Sequence, residues 1–209
     1  MNYSLNEIEA TSKKAARGAG YSWGMAEEAG KAARWLCIQG QDGCAALAGF
    51  LGQIDGKTLA DHRPQDLSGQ WSAKSTLCPL TAGAALSDCA HDLTTDEIIL
   101  SEVAYPALLL PFASRVAIRL GRFVELECDE VFATTNGPEL YLDEPLPRHG
   151  TKVTVRLQTK MDLALPRHTR GVPTQDVWAT LNKFAHRTYA PATEESRLLG
   201  AGAGLSDND

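Results

Sequence analysis

The chain has 209 residues, 44% of them hydrophobic and 22% charged, a balance that excludes general disorder and is ample for a buried core. A formal charge of −6 disfavours a nucleic-acid backbone or an anionic membrane as partner, and no apolar run approaches the ~20 residues that span a bilayer. The five cysteines form no close-spaced framework, and the first residues lack a basic region followed by an apolar one, so reduced thiols and a cytoplasmic location are expected.

The front of the chain has helical period. Ser4 with Glu7 three residues on is a capping-box pattern, and Leu5, Ile8, Ser12 and Ala15 then share a helical face. Gly18-Ala19-Gly20 ends that helix. A second helix is expected over about 24–38, where Ala26, Ala29, Gly30 and Ala33 leave room for a neighbouring backbone. After Gly43 a third carries Ala46, Leu47, Phe50, Leu51 and Ile54 at three-and-four spacing. Residues 55–76 read as a polar connector whose one large apolar residue is Trp71, and Pro79 opens a helix over roughly 79–91.

The back half alternates instead. Val116, Ile118 and Leu120, then Val124, Leu126 and Cys128, then Val153, Val155 and Leu157 predict strands of an antiparallel sheet with one wet face. Asn136-Gly137-Pro138 marks a turn between a strand ending near Thr134 and a short one at 140–142. The acidic face of 125–129 and the basic face of 152–156 are expected to pair across strands. A last helix starts after Pro173-Thr174, and a Gly-rich tail closes the sequence.

The charge is uneven. Residues 1–60 are neutral, 61–147 carry −9, 148–187 carry +6 and 188–209 carry −3. The basic segment holds Arg148, Lys152, Arg156, Lys160, Arg167 and Arg170. It reads either as an anion-binding surface or as the partner of the acidic strand and of the tail, the second accounting for more of the charge. The tail's Asp207 and Asp209 form a negative cluster that could dock on this segment, within the chain or across an oligomer, or bind a cation or amine.

Four further patterns bear on chemistry. Arg17-Gly18-Ala19-Gly20-Tyr21-Ser22-Trp23-Gly24 is glycine-spaced, but a dinucleotide fingerprint follows a strand and this loop follows a helix. Its Tyr21 and Trp23 either plug the core or face a ligand. Cys78 precedes Pro79 and so falls at an N-cap, where the helix dipole favours a thiolate; it is the candidate nucleophile, with an inert buried thiol as the alternative. Cys89-Ala90-His91 resembles half a metal site, yet no second spaced pair accompanies it, so neither metal nor cofactor is expected.

The 16–30 stretch, the opening Leu5-Asn6-Glu7-Ile8-Glu9 and the ending Arg187-Thr188-Tyr189-Ala190-Pro191 through Arg197 resemble an uncharacterised bacterial family, a domain of unknown function of about this length. That resemblance implies no activity or site. Trp35-Leu36 leading to Gly40-Gln41-Asp42-Gly43-Cys44 is weakly similar to the front of the malate/L-lactate dehydrogenase family, with Cys44 where that family has its catalytic histidine.

The fold class expected is α+β, an N-terminal helical unit packed on a C-terminal, mainly antiparallel β-sheet with one or two late helices. Residues 1–93 form the helical part and 94–209 the β-rich part, either as two units or as one integrated domain. Two functions stay open. One is a small-molecule enzyme acting on a small organic acid or amine, with Cys78 as nucleophile and Arg17, Tyr21, Trp23, Arg197, Asp207 and Asp209 as ligand-binding candidates. The other is a non-catalytic binding or accessory subunit whose tail docks in a homo-oligomer.

Overall fold

The computed structural model describes residues 2–189. Helix α1 (Leu5–Gly18) begins as its capping box requires: the Ser4 hydroxyl accepts from the Glu7 N–H at 3.2 Å, and the Glu7 carboxylate accepts from the Ser4 N–H at 2.8 Å. Helix α2 (Trp23–Ile38) runs back along it, capped by the Ser22 hydroxyl. The small face of α2 is what brings the two together, because a Cβ on Gly30 would lie 2.7 Å from the Glu9 carbonyl. Helix α3 (Gly43–Ile54) packs on both and buries Leu47, Phe50, Leu51 and Ile54.

The connector after α3 is anchored by Trp71, which is fully buried and donates its indole N–H to the Leu67 carbonyl at 2.9 Å. Trp71 lies in β2 (Gln70–Trp71), and α4 (Pro79–Asp88) follows, stopping short of its expected end and giving way to a 3-10 turn over Ala90–Thr94. The remaining strands are β3 (Ile98–Ala104), β4 (Phe123–Cys128), β5 (Val131–Thr135), β6 (Leu140–Leu142) and β7 (His149–Gln158). They form a six-stranded sheet in the order β2-β3-β7-β4-β5-β6, antiparallel except for the parallel β2–β3 pair. The α+β class expected from the sequence is the one observed.

The acidic and basic strand faces meet as the alternation predicted. Glu125 sits opposite Arg156 between β4 and β7, and Arg156 reaches Glu125 at 2.6 Å and Glu127 at 2.8 Å. One expected strand is instead a helix. Residues 116–120 belong to α5 (Leu110–Leu120), which packs on the sheet and on α4 and buries Phe112, Ala113, Val116 and Ala117. Three alternating apolar positions are too few to fix a period, and Ile118 turns out 64% exposed. Pro111 in the first turn and Gly121 in the left-handed C-cap conformation (φ 63°) mark the ends of that helix.

The last helix, α6 (Gln175–His186), starts at Thr174 as expected and returns to the front of the molecule, packing on α1 and α3. Just before it, β8 (Arg170–Gly171) pairs with β1 (Tyr3–Ser4). Among the described residues, no helix is long and apolar enough to cross a membrane.

Candidate functional site

The residues singled out in the sequence divide by place. Tyr21 is 4% exposed and plugs the core, whereas Trp23 is 58% exposed with the Arg17 guanidinium 5.3 Å over its ring. Arg17 also donates to the Tyr21 carbonyl at 2.9 Å, so this cation holds the glycine loop in shape. Cys78 is the N-cap of α4, and its sulfur accepts from the Thr81 N–H at 3.4 Å. The Tyr21 hydroxyl lies 3.2 Å from that sulfur, so Cys78 and Tyr21 are brought together as one buried pair. Burial, with the charge and hydrogen bond of Cys78 behind it, pushes the Tyr21 phenol far above its ordinary range. Behind the pair, the Cys78 N–H donates to the carbonyl of buried His62 at 2.8 Å. Nδ1 of His62 faces the Thr76 carbonyl at 2.7 Å and must therefore carry the proton. Cys78 is 1% exposed and lines none of the cavities described below. Arg197, Asp207 and Asp209 lie outside the described residues.

A cavity of about 440 Å³ opens elsewhere, where the helical front meets the β-rich back. One wall is α3, whose Ala45, Ala46 and Gly49 are small enough to leave a hollow on that side. The facing wall is the Pro145-Leu146-Pro147 run and Arg148, and the first turns of α6 close one side with Asp176 and Thr180. Asp42 stands at the rim as the N-cap of α3, its carboxylate accepting from the Ala45 N–H at 2.9 Å. Arg148 forms no ion pair among the described residues.

Tyr105 forms part of the lining. It adopts a left-handed backbone (φ 46°, ψ 62°), a strained conformation for a bulky residue, and its N–H donates to the Arg148 carbonyl at 2.8 Å. This bond ties the end of β3 to the start of β7. The ring crosses α3 at Gly49, where a Cβ would overlap the phenol. The cleft thus combines an apolar body, a guanidinium and two carboxylates, which suits recognition of a small molecule bearing both signs of charge.

Sequence reasoning missed Tyr105, Asp42 and Asp176, and it took Arg148 only as one of a basic run. A residue before proline normally favours extended backbone, so Tyr105-Pro106 hid its left-handed turn. The readable signal was Gly49 on a mainly apolar helix, a position that can mark close approach by another group.

Residues 3–76 match the model of a family described as a protein of unknown function, DUF3726. The expected resemblance to a domain of unknown function is therefore found over that stretch, which holds α1 to α3 and β2. No curated protein matches the chain. The similarity to the malate/L-lactate dehydrogenase family is not among the matches. The matched stretch supplies Asp42 and the α3 wall of the cleft, while Tyr105, Arg148 and Asp176 come from beyond it.

Proposed function

We propose that the cleft between α3, α6 and the 145–148 run binds a small amphoteric organic acid, one carrying a carboxylate and an amine. The observation that carries this reading is Arg148, a guanidinium that forms no ion pair among the described residues, on a cavity wall that also holds Asp42 and Asp176. Its planar fork suits a carboxylate, and the two acids suit an ammonium group. The strained Tyr105 supports the reading, since strain of this kind clusters where a side chain is held for use.

The experiment is a thermal-shift screen of the full chain against the standard amino acids, short-chain amines and short carboxylates. A ligand present at a hundred times its dissociation constant stabilises the native state by about 2.7 kcal/mol, an easily read shift. Amphoteric members should shift the melting temperature, and Arg148→Ala and Asp176→Asn should each remove the response. No shift from any amphoteric member, or shifts that survive both variants, would overturn the proposal.

Catalysis at Cys78 is the weaker reading, because the thiol is packed against Tyr21 and away from the cleft. A homo-oligomer is favoured by Leu163 and Val172, 91% and 71% exposed on the run between β7 and α6. The five free cysteines support a cytoplasmic location.

A further inference from the structure

The α2–α3 turn brings two thiols together. Gly43 opens α3 so close to the last turn of α2 that a Cβ on it would lie 2.8 Å from the Leu36 Cβ. The residue after each of these is a cysteine, and the Cys37 and Cys44 side chains are close enough to shift each other's proton affinity. The backbone N–H groups of Gly43 and Cys44 at the start of α3 lie on the same side and favour the Cys37 thiolate. Cys37 further lines a second hollow, about 190 Å³, whose other walls include His168, Arg170 and Asp42. Although Cys37 is only 4% exposed, a small molecule in that hollow meets it directly, while Cys44 is fully buried behind it.

We propose that Cys37 is a site of oxidation by small peroxides and that Cys44 is its resolving thiol, the two closing to a disulfide across the α2–α3 turn. The Cys44 thiol and the two backbone N–H groups hold Cys37 below the usual thiol range against the effect of burial and of Asp42. The neighbouring Cys37 and burial push Cys44 well above that range. The asymmetry assigns the roles: the attacking sulfur is the one that loses its proton readily.

In the first step the Cys37 thiolate attacks a peroxide oxygen, the O–O bond breaks, and the departing hydroxide takes up a proton to leave as water. Cys37 is then a sulfenic acid. In the second, the Cys44 sulfur attacks the Cys37 sulfur, the S–O bond breaks, and the hydroxyl leaves as water with the Cys44 proton. Two thiols and one hydrogen peroxide give one disulfide and two waters. The hollow is large enough to admit hydrogen peroxide.

The test is peptide mass spectrometry of the reduced full chain after brief exposure to hydrogen peroxide. The expected product is a Cys37–Cys44 crosslink lacking two hydrogens. Cys44→Ser should stop at a Cys37 sulfenic acid that dimedone traps, and Cys37→Ser should leave Cys44 unmodified. Wild-type protein gives a readout free of any folding defect in the variants: iodoacetamide should modify Cys37 on the order of tenfold faster than the buried Cys44, Cys78 and Cys128. Equal rates for the four thiols, or peroxide treatment that leaves Cys37 and Cys44 unlinked, would overturn the proposal.

Discussion

The Tyr21 hydroxyl and the Cys78 sulfur meet at 3.2 Å between the glycine loop and the start of α4, joining residues 57 positions apart in the chain. Each is buried, and each supplies the other's polar partner, so losing either leaves a polar group without its mate. Tyr21→Phe is expected to cost about 1 kcal/mol, and Cys78→Ala about 1–2 kcal/mol because the α4 cap is lost as well. The double variant should cost less than the sum. Urea denaturation of the four proteins checks this; strict additivity would mean the contact contributes nothing.

The same pair makes an alkaline prediction. A phenol held far above its ordinary value means that the native state keeps the proton more tightly than the unfolded chain. Its contribution is complete below the ordinary phenol value of about 10 and is lost as pH rises beyond it. Wild-type protein should therefore lose stability above pH 10 more steeply than Tyr21→Phe. Parallel curves of melting temperature against pH would contradict this.

Gly49 sets the width of the cleft. Gly49→Ala places a methyl group into the Tyr105 phenol, and overpacking of this kind costs about 1–3 kcal/mol. In a chain of this size each kcal/mol lowers the melting temperature by roughly 2–4 °C. Because the ring lines the cavity, a shift of it alters the cleft, and ligand responses seen in the thermal-shift screen should weaken more than the loss of stability explains. A variant with native stability and native ligand response would show that Tyr105 does not occupy the place described.

At the other end of α3, Arg187 clamps the Asp55 carboxylate with two nitrogens, at 2.6 and 2.8 Å. The Arg187 hydrogen bond holds the Asp55 carboxyl below its usual value. The unfolded chain then binds the proton more readily, so the clamp's contribution is present above the ordinary carboxylate value near 4 and fades as pH falls through the folded one. Asp55→Asn should melt below wild type at pH 7 and together with it at pH 2. A gap that persists in acid would point to a packing role instead.

How far the sequence carried depended on whether a signal was local. Ser4 with Glu7, Pro79 after Cys78, and Thr174 before α6 each named a helix start from a few neighbouring residues, and each stands where expected. The pairing of β4 with β7 was readable because charge and alternation agreed, Glu125 facing Arg156. β3 was not read as a strand, for its Ile98-Ile99-Leu100 start is buried by neighbours distant in sequence and shows no clean period. Residues 116–120 misled because a short helix and a short strand share apolar spacing over so few positions. The cleft was the least legible part. Its walls come from α3, the end of β3, the 145–148 run and α6, and no local pattern can announce a hollow enclosed by segments so far apart.

The pairing of β1 with β8 sets an order of events during synthesis. Tyr3 stacks on Trp178 at 3.9 Å, Asn2 accepts from Arg170 at 2.7 Å, and α6 covers α1. The first helix to leave the ribosome is met early by α2 on one side, but its other apolar side waits for one of the last helices to cover it. Contacts of such long sequence separation form late and slowly. Until then Ile8 and its neighbours form a transient surface that a chaperone can hold, and a nascent chain halted before residue 170 would carry it exposed.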